Sequence, residues 1–141
     1  MTIKINKSVV INNPKGNIIK LISTKDNNFK KFGELYLSNI KYNKIKAWKI
    51  HHKMTCNIFI ISGKVEFVIL IDRNKNKFKK FIVSAKGKNH ISIPPGYVFG
   101  FKGLSKKSNS LLNFSDILHD DNEVTNFPIN FFDYKWNKAI I

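Results

Sequence analysis

Lys46-Ala-Trp-Lys-Ile-His-His-Lys53, running on into Cys56-Asn-Ile-Phe-Ile-Ile-Ser-Gly63 and answered by Ile93-Pro-Pro-Gly-Tyr97, decides how this chain folds. In an extended strand successive side chains point to opposite faces. Ala47, Lys49 and His51 therefore share one face, and Trp48, Ile50 and His52 the other. On strict alternation Lys46 lies opposite Lys49. Ser62-Gly63 separates two apolar runs tightly enough to predict a hairpin, and Pro94-Pro-Gly96 marks the next turn.

Outward from this block the chain reads as β-structure almost throughout. Short runs rich in Ile, Val and Phe alternate with Asn/Lys/Gly turns. The pattern predicts strands at Val9–Ile11, Ile18–Ile22, Glu34–Ile40, Ile45–His51, Asn57–Ser62, Lys64–Ile71, Lys79–Ser84, His90–Ile93, Tyr97–Phe101 and Ser110–Asp116. Val65-Glu-Phe-Val-Ile-Leu-Ile71 is apolar on both alternating faces and should be covered on both, within a sandwich or at a subunit contact. The aromatic stretch Phe127–Trp136 is expected to pack back across the strands. With no long amphipathic helix, repeat or linker, the expectation is an all-β double-sheet jelly roll in a single domain spanning residues 1–141.

A chain of 141 residues can bury a core without staples, and the single cysteine, Cys56, cannot form an internal disulfide. No apolar run reaches the length of a membrane span and no signal-peptide pattern opens the sequence, so a soluble cytoplasmic protein is expected. The formal net charge of +16 raises nucleic acid as a partner. Arg73 is the only arginine among 25 basic residues, however, and base readout favours the planar guanidinium. The lysines are scattered, as expected of a solvated surface, with attraction of a small phosphorylated ligand the next reading.

Five blocks, in order and at compatible spacings, resemble the dTDP-4-dehydrorhamnose 3,5-epimerase-like and sugar ketoisomerase-like cupins over roughly residues 30–136. Glu34-Leu-Tyr-Leu-Ser38 sits where that family has a substrate-facing strand, and Lys46-Ala-Trp-Lys49 where it has Arg-Gly-x-His. Gly63 matches a hairpin glycine. Ile93-Pro-Pro-Gly-Tyr97 with Gly100-Phe101 matches Ile-Pro-Pro-Gly-Phe-x-His-Gly-Phe, and Ser115–Glu123 matches a later Thr-Asp-Tyr-Tyr segment. Residues 1–29 would supply N-terminal strands and 127–141 a C-terminal packing segment.

The resemblance implies a double-stranded β-helix (the cupin jelly roll) and a homodimer that epimerises or isomerises a nucleotide-activated 4-keto-6-deoxysugar for surface polysaccharide. A nucleotide-diphosphate sugar would be the partner molecule. No cofactor is implied, because the ketone already acidifies the neighbouring C–H. The family's usual base is a histidine and its acid a tyrosine. Here those positions hold Lys49, and Ile117 with Leu118. The competing reading is a catalytically inactive cupin that binds a sugar nucleotide or a partner enzyme.

The candidate catalytic residues are Lys49, His51 and His119. A lysine facing an apolar barrel would lose charge to desolvation and could accept a proton, or stay charged and hold a phosphate. Imidazole titrates nearest neutrality, which recommends His51, a position that also matches the second histidine of the His-x-His of ketoisomerases. His119 could act from the opposite face if its acidic loop folds over the mouth. Glu34, Tyr36, Lys46, Tyr97 and Lys102 are the substrate-binding candidates. Asp116 and Glu123 could orient a histidine or be exposed turn residues. A cupin metal site is not expected, since its four positions hold Lys49, His51, Cys56 and Phe99.

Overall fold

The apolar alternation resolves into two five-stranded antiparallel sheets packed face to face. In the computed structural model, which describes residues 2–136, the first sheet runs β1 (Lys4–Lys7), β9 (Asn89–Ile93), β6 (Cys56–Ser62), β11 (Ser110–Ser115), β4 (Glu34–Asn39). The facing sheet runs β12 (Val124–Asn126), β5 (Ile45–His51), β10 (Val98–Gly103), β7 (Lys64–Asp72), β8 (Lys77–Ser84). A separate hairpin pairs β2 (Val9–Ile11) with β3 (Ile18–Lys20). The architecture is the expected all-β jelly roll. The described residues contain no helix long and apolar enough to cross a membrane.

The space between the sheets is filled by Cys56, Ile58 and Ile60 of β6, Ile91 and Ile93 of β9, Val65, Phe67 and Ile69 of β7, and Phe99 and Phe101 of β10. Burying each aliphatic or phenyl side chain contributes about 1.5–3 kcal/mol. A second apolar layer lies outside the β5–β10–β7 face, where Trp48, Val68, Leu70 and Val98 meet Phe132, flanked by Phe127, Tyr134 and Trp136. The run from Val65 to Ile71 is thus covered on both faces, its outer one by the chain's own C-terminal segment. Residues 137–141 of that segment lie outside the described residues.

Two expectations change. Ser62-Gly63 does not close a hairpin. β6 pairs with β9 and β11, whereas β7 pairs with β10 and β8, so the chain turns a corner from one sheet to the other. Gly63 has φ of 82°, and a Cβ there would strike the Ser108 carbonyl oxygen. The second change is two additional edge strands, β1 and β12, each too short and polar to announce itself. Partner edges recruit them: β1 adds to β9 and β12 to β5.

On the outer face of the first sheet, His90 is buried against Phe59, with ring centroids 4.2 Å apart. Its Nε2 accepts a hydrogen bond from Asn28 Nδ2 at 2.8 Å, and its Nδ1 has no partner among the described residues. Burial, opposed weakly by Asp26, pushes the imidazole down to about 4. Between the ordinary value of 6.5 and about 4 the unfolded chain holds a proton that the folded chain refuses. Stability should therefore fall as pH drops through that window, by a contribution on the order of 2–3 kcal/mol. Buried His51 adds in the same direction. Thermal melts between pH 7 and 5 should show this loss, and His90→Gln, which keeps an acceptor for Asn28, should reduce it.

Candidate active site

Register identifies the interior-facing side chains, because residues directly paired in an antiparallel ladder share a face. Cys56 and Ile58 of β6 point inward, and their partners on β11 are Ser115 and Asn113. These pair in turn with Glu34 and Tyr36 on β4. Glu34 and Tyr36 therefore face the interior yet keep some exposure, while Leu35 and Leu37 point outward and are exposed.

On the opposing sheet, Phe99 and Phe101 of β10 both point inward, and they pair with Lys49 and Lys46. Two residues on β10 span three on β5, so β5 carries a bulge, a one-residue insertion that breaks strict alternation. Lys46 consequently lies on the same face as Lys49, contrary to the alternation argument. Its Nζ reaches across to the Asn39 carbonyl at the end of β4, 2.7 Å away. Trp48 is turned outward into the C-terminal aromatic layer, where its indole N–H donates to the Ile129 carbonyl at 3.0 Å.

His51 and Glu123 form the centre of the site. The Nδ1–H of His51 donates to Glu123 Oε1 at 2.6 Å, and both side chains are buried. β12 creates the contact: Val124 pairs with His51, and His52 N–H donates to the Glu123 carbonyl at 2.8 Å. Burial holds the His51 imidazole below its ordinary value, against the pull of Glu123, and the Lys49 charge adds to the depression. Neutral His51, with Nδ1–H committed to the carboxylate, leaves Nε2 with a free lone pair and no hydrogen-bond partner among the described residues. On the facing wall, Asn113 Nδ2 donates to the Tyr36 hydroxyl at 2.6 Å. Burial pushes that phenol up to about 12, and pushes the Cys56 thiol up to about 12 as well.

The sequence candidates divide. Lys49, His51, Glu34, Tyr36 and Lys46 gather on the two interior walls, and Tyr97 packs against the core beside them. Lys49 is half-buried rather than sealed from water. Lys102 does not reach the mouth. It is buried on the outer face, where its register partner across the ladder is Glu66, because β10 alternates and Phe101 takes the inner position. His119 stays at the rim: its imidazole is solvent-exposed and bonded to Asp121 at 2.8 Å, while its backbone N–H donates to Glu34 Oε1 at 3.0 Å. Asp116 caps the Thr55 N–H, and exposed His52 bonds Thr125. Glu123 ends the turn before β12 but is a buried partner of His51, not an exposed residue. Asn113, an inward-facing asparagine between Leu112 and Phe114, is not among the sequence candidates; that polar interruption is its only signal.

No group of three or more His, Cys, Asp or Glu side chains gathers as a metal site among the described residues. A separate cavity of about 630 Å³ lies outside the sandwich, over His90 and Ser92. Its lining residues Asn6, Asn28 and Ser92 are hydrogen-bonded to one another and to Asn57 behind them. It holds no acid–base pair comparable to His51 and Glu123.

No protein-family model and no curated protein matches this sequence. Solved structures do match. A dTDP sugar isomerase from Desulfovibrio desulfuricans G20 superposes with a TM-score of 0.85 at 23% identity, over 95% of this chain and 90% of that one. The dTDP-4-dehydrorhamnose 3,5-epimerase of Elizabethkingia anophelis NUHP1 gives 0.80 at 16% identity, over 99% and 82%. A variant of a 3,4-ketoisomerase from Thermoanaerobacterium thermosaccharolyticum, in complex with TDP-4-keto-6-deoxyglucose, gives 0.76 at 14%, over 88% and 86%. The chain shares their fold. The fold expected from the resemblance is thereby found, while the chemistry has to be argued from this chain's own residues.

The opposed influences on His51 can be separated. Glu123 raises its affinity for a proton and Lys49 lowers it. In an NMR titration of the imidazole, Glu123→Gln should move the His51 midpoint down and Lys49→Met should move it up. Shifts in the same direction would contradict the placement of one of the two charges.

Proposed function

We propose that this protein is a cofactor-independent epimerase or keto-isomerase of a nucleotide-activated 4-keto-6-deoxysugar. The observation that carries the reading is the buried His51–Glu123 pair with its free Nε2 inside the sandwich. A ketone acidifies the C–H groups beside it, so the reaction needs a base, a group to hold the developing oxyanion and a proton donor. His51 Nε2 takes the proton from the carbon. Glu123 fixes the tautomer and stabilises the imidazolium that forms. The Lys49 ammonium, close enough to bear on both His51 and Cys56, holds the enolate oxygen. Lys46 and the basic surface draw in the nucleotide diphosphate.

The reading departs from the family's pattern in where the base sits. Lys49 occupies the family's histidine position, and His51, one turn of the pleat further on, takes over proton removal. A scaffold that only binds has no use for a buried carboxylate locking one imidazole tautomer, and this favours turnover over the inactive-binder reading. Homodimeric assembly and a cytoplasmic setting in surface-polysaccharide synthesis complete the proposal. The outward Leu35 and Leu37 offer apolar surface for a dimer contact.

Incubation in D2O with dTDP-, CDP-, GDP- and UDP-linked 4-keto-6-deoxysugars should wash deuterium into ring positions next to the ketone. His51→Asn should slow exchange by roughly 100-fold or more, in line with loss of a general base. Because His51 sits below its ordinary value, the wild-type rate should remain on its plateau at pH values where an ordinary histidine would already be protonated. Tight binding of these sugars with no exchange at any pH would instead establish the inactive binder.

A further inference from the structure

The cavity of about 630 Å³ on the outer face of the first sheet takes no part in the chemistry of the cleft. We propose that it is a second binding site, for a phosphorylated sugar, free or as part of a nucleotide. The sheet itself separates it from the cleft, so the site does not depend on the reaction assigned there.

Charge is the first argument. Lys4, Lys7, Lys20 and Lys25 line the cavity, and Asp26 is the one acidic residue that does. Among the described residues none of these lysines forms an ion pair. Asp26 is engaged locally, its Oδ2 accepting the Ser23 N–H at 2.7 Å. Register accounts for part of the gathering. Lys4 pairs with Ser92 and Asn6 with His90, so these four share the outer face. The end of β3 and the segment after it bring Lys20 and Lys25 to the same hollow. Lysines of a merely solvated face spread apart and so lower their repulsion. Four around one concavity, against a single engaged carboxylate, focus a positive field on any anion inside.

The hydrogen-bonding groups argue for more than a bare phosphate. Asn28 Nδ2 is spent on Asn57, His90 and Ser92, and Asn6 Nδ2 on Ser92. The side-chain oxygens of Asn6 and Asn28 have no partner among the described residues, and neither residue is sealed from solvent. Carbonyl oxygens repel an anion but accept from hydroxyl groups. His90 adds a buried donor to the lining. Its Nε2 accepts from Asn28, so the proton lies on Nδ1, which has no partner among the described residues. Ile5, Val9, Leu21 and Ile22 supply apolar wall for the C–H face of a ring. Concave sites of roughly 300–1,000 Å³, with apolar walls and a few fixed polar groups, are the usual form of small-molecule sites.

Calorimetric titration of the full chain with glucose 1-phosphate, uridine monophosphate, inorganic phosphate and glucose tests the assignment. The two esters should bind, more weakly as salt is raised, and phosphate or glucose alone should bind less well than either. Lys4→Gln/Lys20→Gln, with folding checked by thermal melting, should weaken ester binding roughly 10-fold or more through lost charge-assisted hydrogen bonds. Lys106 and Lys107 line a different hollow, and Lys106→Gln/Lys107→Gln should leave the affinity unchanged. Whichever ester binds more tightly identifies the source of the ligand, and either result supports the site. Equal losses in the two lysine pairs, or inorganic phosphate binding as tightly as the esters, would mean attraction by net charge alone and overturn it. So would the absence of ester binding. Binding that survives Lys4→Gln/Lys20→Gln but disappears in Lys49→Met would put the ligand in the cleft, ending the second site and leaving the proposed function standing.

Discussion

The hydrogen bond between His51 and Glu123 is the interaction on which the rest of the site depends. A carboxylate taken out of water is costly unless it is paired and hydrogen-bonded, and Glu123 is almost wholly buried. What holds it there lies outside the cleft. Phe127 and Trp48 exchange backbone hydrogen bonds of 2.8 and 3.0 Å, prolonging the β12–β5 pairing past Asn126. Trp48 is gripped in turn by Phe78, Phe132, Tyr134 and Trp136, with ring centroids 5.3–5.9 Å away. Aromatic burial on the outer face thus supplies the free energy that pins β12, and β12 delivers the carboxylate to the inner face. The C-terminal segment belongs to the site although none of its aromatic side chains enters it.

The bulge in β5 is the second constraint. Without it, Lys46 and Lys49 would straddle the sheet. With it, one wall carries two ammonium groups and an imidazole, and the intervening Trp48 is freed to point outward. A single inserted residue therefore serves both faces: it collects positive charge on the inner wall, and it sends the largest apolar side chain of β5 into the layer that anchors β12. Bulges commonly re-aim side chains at such places.

Strands were readable where apolar runs had to be buried, so β5 and most of its neighbours fall where alternation puts them. The failures share a cause. Ser62-Gly63 satisfies the local chemistry of a tight turn, and local chemistry does not say whether the next strand rejoins its own sheet or crosses to the other. Strict alternation misplaced Lys46, because a bulge depends on the partner strand. Lys102 looked accessible beside a turn, but its face is fixed by Phe101, which claims the interior. Glu123 stays open in the sequence between orienting a histidine and being an exposed turn residue, since 72 residues separate it from His51 and the strand that joins them is three residues long.

Burial in the cleft acts on two titrating groups with opposite consequences. Desolvation disfavours whichever form is charged. It lowers the histidine, whose charged form is protonated, and raises the tyrosine, whose charged form is not. The same dry interior therefore favours the neutral form of each group, and His51 and Tyr36 answer it with shifts of opposite sign. Glu123 and Asn113 pull the other way, each favouring its partner's charged form. Both shifts follow from placing the groups inside a sandwich instead of on its surface.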